Sequence, residues 1–132
     1  MRNMGKTFII AEAGVNHNGD INRAFEMVDA VFESGADAIK FQTFIPEQIV
    51  TSFADKADYQ KTNDPRHDNQ LKMLKDLALT FDEQEKLFDY CQQKQVTFLS
   101  SPFDLISANF LIKKLGLQTI KLGSGEITNA PL

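Results

Sequence analysis

Short β-rich runs alternate with amphipathic runs along this chain, and that alternation limits the fold more than any other feature of it. Apolar residues recurring at every second position, then at every third or fourth, describe repeated strand-helix units around a parallel sheet. The first strand is expected at 7–11, followed by the turn NHNGD. Ile21, Ala24, Phe25, Val28, Val31 and Phe32 then fall at helical spacing, and Gly35 is placed to end that helix. A second strand is expected at 38–43. The polar stretch 44–68, with PEQ, ADYQK and TNDPRHDN, comes before a short helix at 70–77. Loops this long inside α/β units are functional or disordered as a class. Thr80 with Glu83 three residues later forms a capping-box pattern for a helix over 81–94. A third strand at 97–100, the turn SPFD, a helix at 105–115 closed by Gly116, and a fourth strand at 119–122 complete the order.

No dinucleotide glycine fingerprint follows the first strand, so the repeated units favour a (β/α) barrel over a doubly wound sheet. A whole barrel takes roughly 250 residues. This chain has 132 and stops at Pro131-Leu132, where a fourth helix is due. The expectation is an α/β fold in which residues 1–132 form the N-terminal half of a (β/α)8 TIM barrel with about four strands, truncated in or before the fourth helix. Both edges of such a sheet invite pairing.

Composition narrows the function classes. Hydrophobic residues make up 42% of the chain, with eleven Phe, which is ample for a core. Fourteen basic residues against eighteen acidic give a net charge of -4, so nothing draws the molecule as a whole to nucleic acid or an anionic membrane. Any anion it binds is held by a local site. The apolar run 8–11 ends at Glu12, too short for a signal-peptide core or a membrane span, and a cytoplasmic location is expected. A single cysteine, Cys91, excludes an internal disulfide and suits a reducing compartment; its spacing from Leu87 and Phe88 makes it a core residue.

The chemistry gathers at the expected strand ends. Lys40 and Gln42 sit two residues apart in DAIKFQTF, on one face of a strand that should be apolar. Glu12 ends the first strand, Ser100 and Ser101 the third, and Lys121, Ser124 and Glu126 follow the fourth. Barrel active sites form at this end of the strands. A buried ammonium is costly and two adjacent ones repel, so Lys40 and Lys121 are expected to share an anion, a phosphate or a carboxylate. In KLGSGEI, Gly123 and Gly125 allow close backbone approach and Ser124 adds a hydroxyl. Taken singly these signals are weak, since GSG is a common turn and a strand lysine often snorkels to water. Their coincidence at four strand ends is the stronger observation.

Other motifs read as structure. His17 in VNHNGD is a hydrogen-bonding turn residue, and with His67 the only other histidine, no complete metal site can be built from this chain. Asp82 and Glu83 complement a helix dipole, and LFDYCQQKQ reads as a solvated helix face.

The ordered segments FIIAEAGVNHNGD, AIKFQTF, FLSSPFD and IKLGSGEITNAPL resemble the sialic acid (nonulosonic acid) synthase family. ADYQKTN and QLKMLKDLAL look closer to bacterial N,N'-diacetyllegionaminate synthases than to N-acetylneuraminate synthases. The resemblance implies a (β/α)8 barrel followed by an antifreeze-like domain in a swapped homodimer. It also implies condensation of phosphoenolpyruvate with an N-acylated mannose-type aldose and release of phosphate. By matching positions, Lys40, Lys121 and Ser124 would contact phosphoenolpyruvate, and Ser101 would bind its phosphate. Gln42 and Glu126 would face the aldose. Glu12 would lie near the reacting carbons, with Glu12 or Glu126 moving protons. A divalent metal, manganese or magnesium, is implied for the full-length enzyme. Its ligands, and the antifreeze-like domain, would lie beyond residue 132, leaving this chain inactive alone. The rival expectations are another phosphoenolpyruvate-utilising or sugar-phosphate barrel, and a non-catalytic half-barrel that binds an anion or self-associates.

Overall fold

The computed structural model describes residues 7–50 and 69–132. Its elements in chain order are β1 (Ile10–Gly14), α1 (Ile21–Ser34), β2 (Ala38–Thr43), α2 (Pro46–Ile49), α3 (Gln70–Leu77), α4 (Phe81–Gln93), β3 (Thr97–Pro102) and α5 (Leu105–Asn109). A π-helical turn, Phe110–Lys114, continues α5, and a 3-10 turn, Ser124–Thr128, lies near the end of the chain. The part of the predicted long loop at 51–68, with His67, lies outside the described residues.

Local chemistry sets the helix limits. The Asp20 carboxylate accepts from the Asn22 and Arg23 amides at the start of α1, and Gly35, at φ 72°, ends it. Asn69 caps α3 by accepting from the Lys72 amide. Thr80 and Glu83 form the reciprocal capping box predicted for α4. Asp104 caps α5 through the Ser107 amide.

The three strands are parallel and ordered β1-β2-β3, the order in which they occur in the chain. Ile39, Phe41 and Phe98 point to one side, where Val28 and Val31 of α1, Leu87 and Cys91 of α4, and Leu111 close a single core. Sequential parallel strands with helices on one face form a barrel wall, whereas a doubly wound sheet changes direction and is covered on both faces. The opposite face carries Glu12, Lys40, Gln42 and Ser101.

The structure departs from the sequence expectations in several places, α2 within the stretch read as an irregular loop among them. β1 begins at Ile10, not at residue 7, because the ladder starts only where β2 does, at the pair Ile10–Ala38. β3 runs on to Pro102, since Gln42 and Thr43 still have partners in Ser101 and Pro102. The predicted helix at 105–115 changes at Phe110 into a π-turn, in which the Leu115 amide bonds to the Phe110 carbonyl at 3.0 Å. The expected fourth strand at 119–122 is absent, so the described sheet has three strands. Only the Lys121 amide bonds to β3, at the Ser100 carbonyl and 3.2 Å, and a strand needs a repeated ladder.

The run LFDYCQQKQ also differs from its reading as a solvated face. Leu87 and Cys91 are fully buried, and the Tyr90 hydroxyl donates to Asp29 at 2.8 Å. Beside the outer strands, Phe8, Ile9 and Ile10 are exposed near β1, as are Leu122 and Ile127 in the segment after α5.

Candidate functional site

Parallel register places Glu12 beside Lys40 on the open face, and their side chains form an ion pair. Lys40 is 14% exposed and Glu12 55%, so the buried ammonium is neutralised by a carboxylate that remains half in water. Lys40 thus has a charge partner from β1 that the sequence reading did not include. Lys121 itself is exposed and lies outside any strand.

Glycine at position 14 carries the left-handed backbone beside the cluster. The β1–β2 register shifts between Glu12 and Gly14, and Gly14 has φ 55°. A Cβ there would stand 3.4 Å from Glu12 Oε1 and 3.6 Å from Gln42 Nε2. Glu12, Gln42 and Gly14 therefore pack closely at the β1–β2 seam, with Lys40 on the Glu12 carboxylate.

The two serines of β3 part company because alternate strand residues face opposite ways. Ser100 lies on the helix side, its hydroxyl 2.7 Å from Thr43 Oγ1 in a buried contact. Ser101, paired in register with Gln42, lies on the open face and is 2% exposed. Its Oγ has no hydrogen-bond partner among the described residues. A buried hydroxyl without a partner is costly, so Ser101 has an unmet bonding capacity at the strand ends.

The GSG segment is not a left-handed anion nest. Neither Gly123 nor Gly125 has a positive φ. Gly123 is close-packed, since a Cβ would stand 3.3 Å from the Phe103 ring, which would have to give by a few tenths of an ångström, whereas one on Gly125 would meet open space. Ser124 is exposed, and Glu126 is partly buried and accepts from Asn129 Nδ2 at 2.7 Å. The structure thus brings Glu12, Lys40, Gln42 and Ser101 onto one sheet face, ties Lys121 to the same edge through its backbone, and leaves Ser124 and Glu126 on the turn that follows.

Among the described residues, no group of three or more His, Cys, Asp or Glu could hold a metal ion. His17 is 1% exposed, accepts from the Gly19 amide at Nδ1 (3.1 Å), and packs its ring against Phe41. Burial holds its pKa below 6.5, against smaller opposing pulls from Glu83 and Asp20. It is a neutral anchor for the β1–α1 loop.

Two supporting residues escaped the sequence reading. Asp104, in the turn after β3, accepts from the Ile45 amide (2.9 Å) and from the Ser107 hydroxyl (2.7 Å), so it ties the end of β2 to the end of β3. Its place directly before the helical run is a cap signal carried by SPFD. Gln84, on α4, donates from Nε2 to the Gln42 carbonyl at 3.1 Å. Nothing in the sequence marks it. Among the described residues no helix is long and apolar enough to cross a membrane.

The chain is 49% identical over 94% of its length to the N,N'-diacetyllegionaminic acid synthase of Legionella pneumophila, of which it covers 35%. It is 44% identical over 97% of its length to the enzyme of that name from Campylobacter jejuni, covering 38% of it. Its structure superposes on an N-acetylneuraminic acid (sialic acid) synthetase from Leptospira borgpetersenii with a TM-score of 0.78 and 31% identity, over 96% of this chain and 39% of the other. It therefore spans a little over a third of the length of each. Residues 27–132 match the model of the NeuB family, and the chain belongs to that family.

Proposed function

We propose that this chain is the N-terminal half of the barrel of a nonulosonic acid synthase. The whole enzyme condenses phosphoenolpyruvate with an N-acylated mannose-type aldose and releases phosphate. The observation that carries the reading is the single open face on which Glu12, Lys40, Gln42 and Ser101 converge at the strand ends, under a NeuB-family sequence. The names of the Legionella and Campylobacter relatives favour a diacetylated aldose as acceptor.

In this reading Lys40 and Lys121 hold the anionic donor, and Ser101, with its unused hydroxyl, and Ser124 bond its phosphate oxygens. Gln42 and Glu126 face the aldose. C3 of phosphoenolpyruvate attacks the aldehyde carbon, water adds at C2, and the tetrahedral intermediate expels phosphate by C–O cleavage. Glu12 or Glu126 moves the protons. A divalent metal, manganese or magnesium, acts as Lewis acid when bound. Its ligands lie outside this chain, as does the rest of the homodimer, and the reaction runs in the cytoplasm. The chain alone is inactive.

The test is phosphate release from phosphoenolpyruvate with manganese and either N-acetylmannosamine or 2,4-diacetamido-2,4,6-trideoxymannose. It is run on the chain alone and on a chimera in which residues 1–132 replace the matching part of the Legionella relative. Release by the chimera alone is expected, with the diacetamido sugar preferred. An inactive chimera whose chain still binds phosphoenolpyruvate would overturn the reading in favour of an anion-binding half-barrel.

A further inference from the structure

Gln84 is 1% exposed on α4, a helix whose neighbouring buried residues, Leu87 and Cys91, belong to the core. A primary amide at such a position costs free energy that leucine or methionine would not. Only part of that cost is met: Nε2 donates to the Gln42 carbonyl at 3.1 Å, while Oε1 has no partner among the described residues. An amide kept under these terms is held for the one bond it makes. Its place on the helix is itself fixed, since the Gln84 amide closes the first turn on the Thr80 carbonyl at 2.9 Å, inside the capping box.

The receiving group is well chosen. Pairing between β1 and β2 ends at Gly14–Phe41, so Gln42 is the first residue of β2 beyond the reach of that ladder. Its side chain passes close to Gly14 on the open face, while Gln84 holds its carbonyl from the helix layer. Fixing the carbonyl fixes the peptide plane after Gln42 and hence the direction in which its Cα–Cβ bond leaves the strand.

We infer that Gln84 is a positioning residue for acceptor recognition: it acts through the Gln42 backbone to aim the Gln42 amide at the aldose. The inference rests on the proposed synthase reading for its substrate, and on the Gln84–Gln42 bond for everything else. Loss of the donor leaves the Gln42 carbonyl without its amide partner and its side chain less well aimed. Supporting residues of this kind typically change affinity by about tenfold or more.

The experiment uses the active chimera carrying Gln84→Met, which keeps the volume and removes the donor, and Gln84→Asn, which stays polar but is too short to reach. Both are expected to raise KM for the aldose about tenfold while KM for phosphoenolpyruvate stays as it was. In a Gln42→Ala background Gln84→Met is expected to add nothing to the aldose KM, because the side chain it aims is gone. In the 132-residue chain the same variants are expected to move the carbonyl carbon resonance of Gln42. An unchanged aldose KM in an active chimera, an equal loss for both substrates, or additive effects with Gln42→Ala would overturn the inference. Should the wild-type chimera be inactive, the synthase reading fails on its own account. The Gln42 resonance then decides the positioning, and an unmoved resonance overturns it.

Discussion

Gly19 and Gly35 form a matched pair that isolates one packing contact. Both have φ 72°, so alanine at either pays the same left-handed penalty, about 1–2 kcal/mol, partly offset by the lower entropy of the unfolded chain. They differ in their surroundings. A Cβ at Gly35 meets nothing within 4 Å, whereas one at Gly19 would stand 2.2 Å from the Asp76 carbonyl oxygen and 3.2 Å from its carbon. The obstacle is backbone at the end of α3, which cannot rotate aside as a side chain would, so the overpacking cost falls near the upper end of its usual range, about 3 kcal/mol. Gly35→Ala is therefore expected to cost about 1 kcal/mol and Gly19→Ala about 4 kcal/mol. Urea unfolding of the chain, followed by circular dichroism, reads the difference as a midpoint lower by roughly 1.5 M for Gly19→Ala, taking a slope of about 2 kcal/mol per molar. Gly116, at φ 71° with open space around it, is a second control. Equal midpoints for Gly19→Ala and Gly35→Ala would refute the claim that the β1–α1 turn is clamped against α3.

Three further predictions concern buried groups. Burial pushes the Cys91 thiol up to about 12, so at pH 8 the folded chain is expected to resist thiol reagents and to react fully only in denaturant; fast labelling without denaturant would contradict its core placement. Because burial holds His17 below 6.5, the unfolded chain binds more protons than the folded one as pH falls past that value. Stability is therefore lost on the acid side of pH 6.5, and His17→Asn should flatten that part of a stability–pH profile; parallel profiles would exclude the effect. Asp104→Ala removes the cap of α5 and the acceptor for the Ile45 amide, at about 2–4 kcal/mol. A drop in Tm of roughly 10 °C is expected by calorimetry, and a change within error would deny Asp104 its role as a tie between β2 and β3.

The helices were legible because their signals are local. Gly35, Thr80 and Glu83 each act within one turn of the residue they satisfy, so spacing alone identified them, and the Asp20 cap, which the sequence reading passed over, is equally local. Strands depend on partners far along the chain. TIKL at 119–122 has the composition of a strand, yet only the Lys121 amide finds β3. Period two put Lys40 and Gln42 on one face and also separated Ser100 from Ser101, a distinction the sequence contained. The Glu12–Lys40 pair was not readable, because it depends on cross-strand register next to an irregularity at Glu12 and Gly14. Gln84 gave no signal, since glutamine is ordinary on helix surfaces and only burial makes it informative.

The lysine inside this sheet has a charge partner that its sequence alone does not reveal. A mostly buried ammonium beside a half-exposed carboxylate is a nearly neutral pair, and it is held in one geometry by two strands in register. Lys40 is therefore ordered before any ligand arrives, and binding does not have to supply the entropy of fixing it. Lys121 is the opposite case. Its backbone is anchored to Ser100 while its ammonium remains in water, so it offers charge at the cost of ordering a long side chain. For an anionic donor at these strand ends, the two lysines would divide the work. In the proposed reading Lys121 would attract from solvent, and Lys40 would fix where the anion stops, sharing it with the Ser101 hydroxyl, which has no partner among the described residues. Glu12 then has two consequences that cannot be separated. It makes the buried lysine tolerable, and in the proposed reading it would compete with the donor for the same ammonium, which would keep that end of the site from binding every anion that diffuses in.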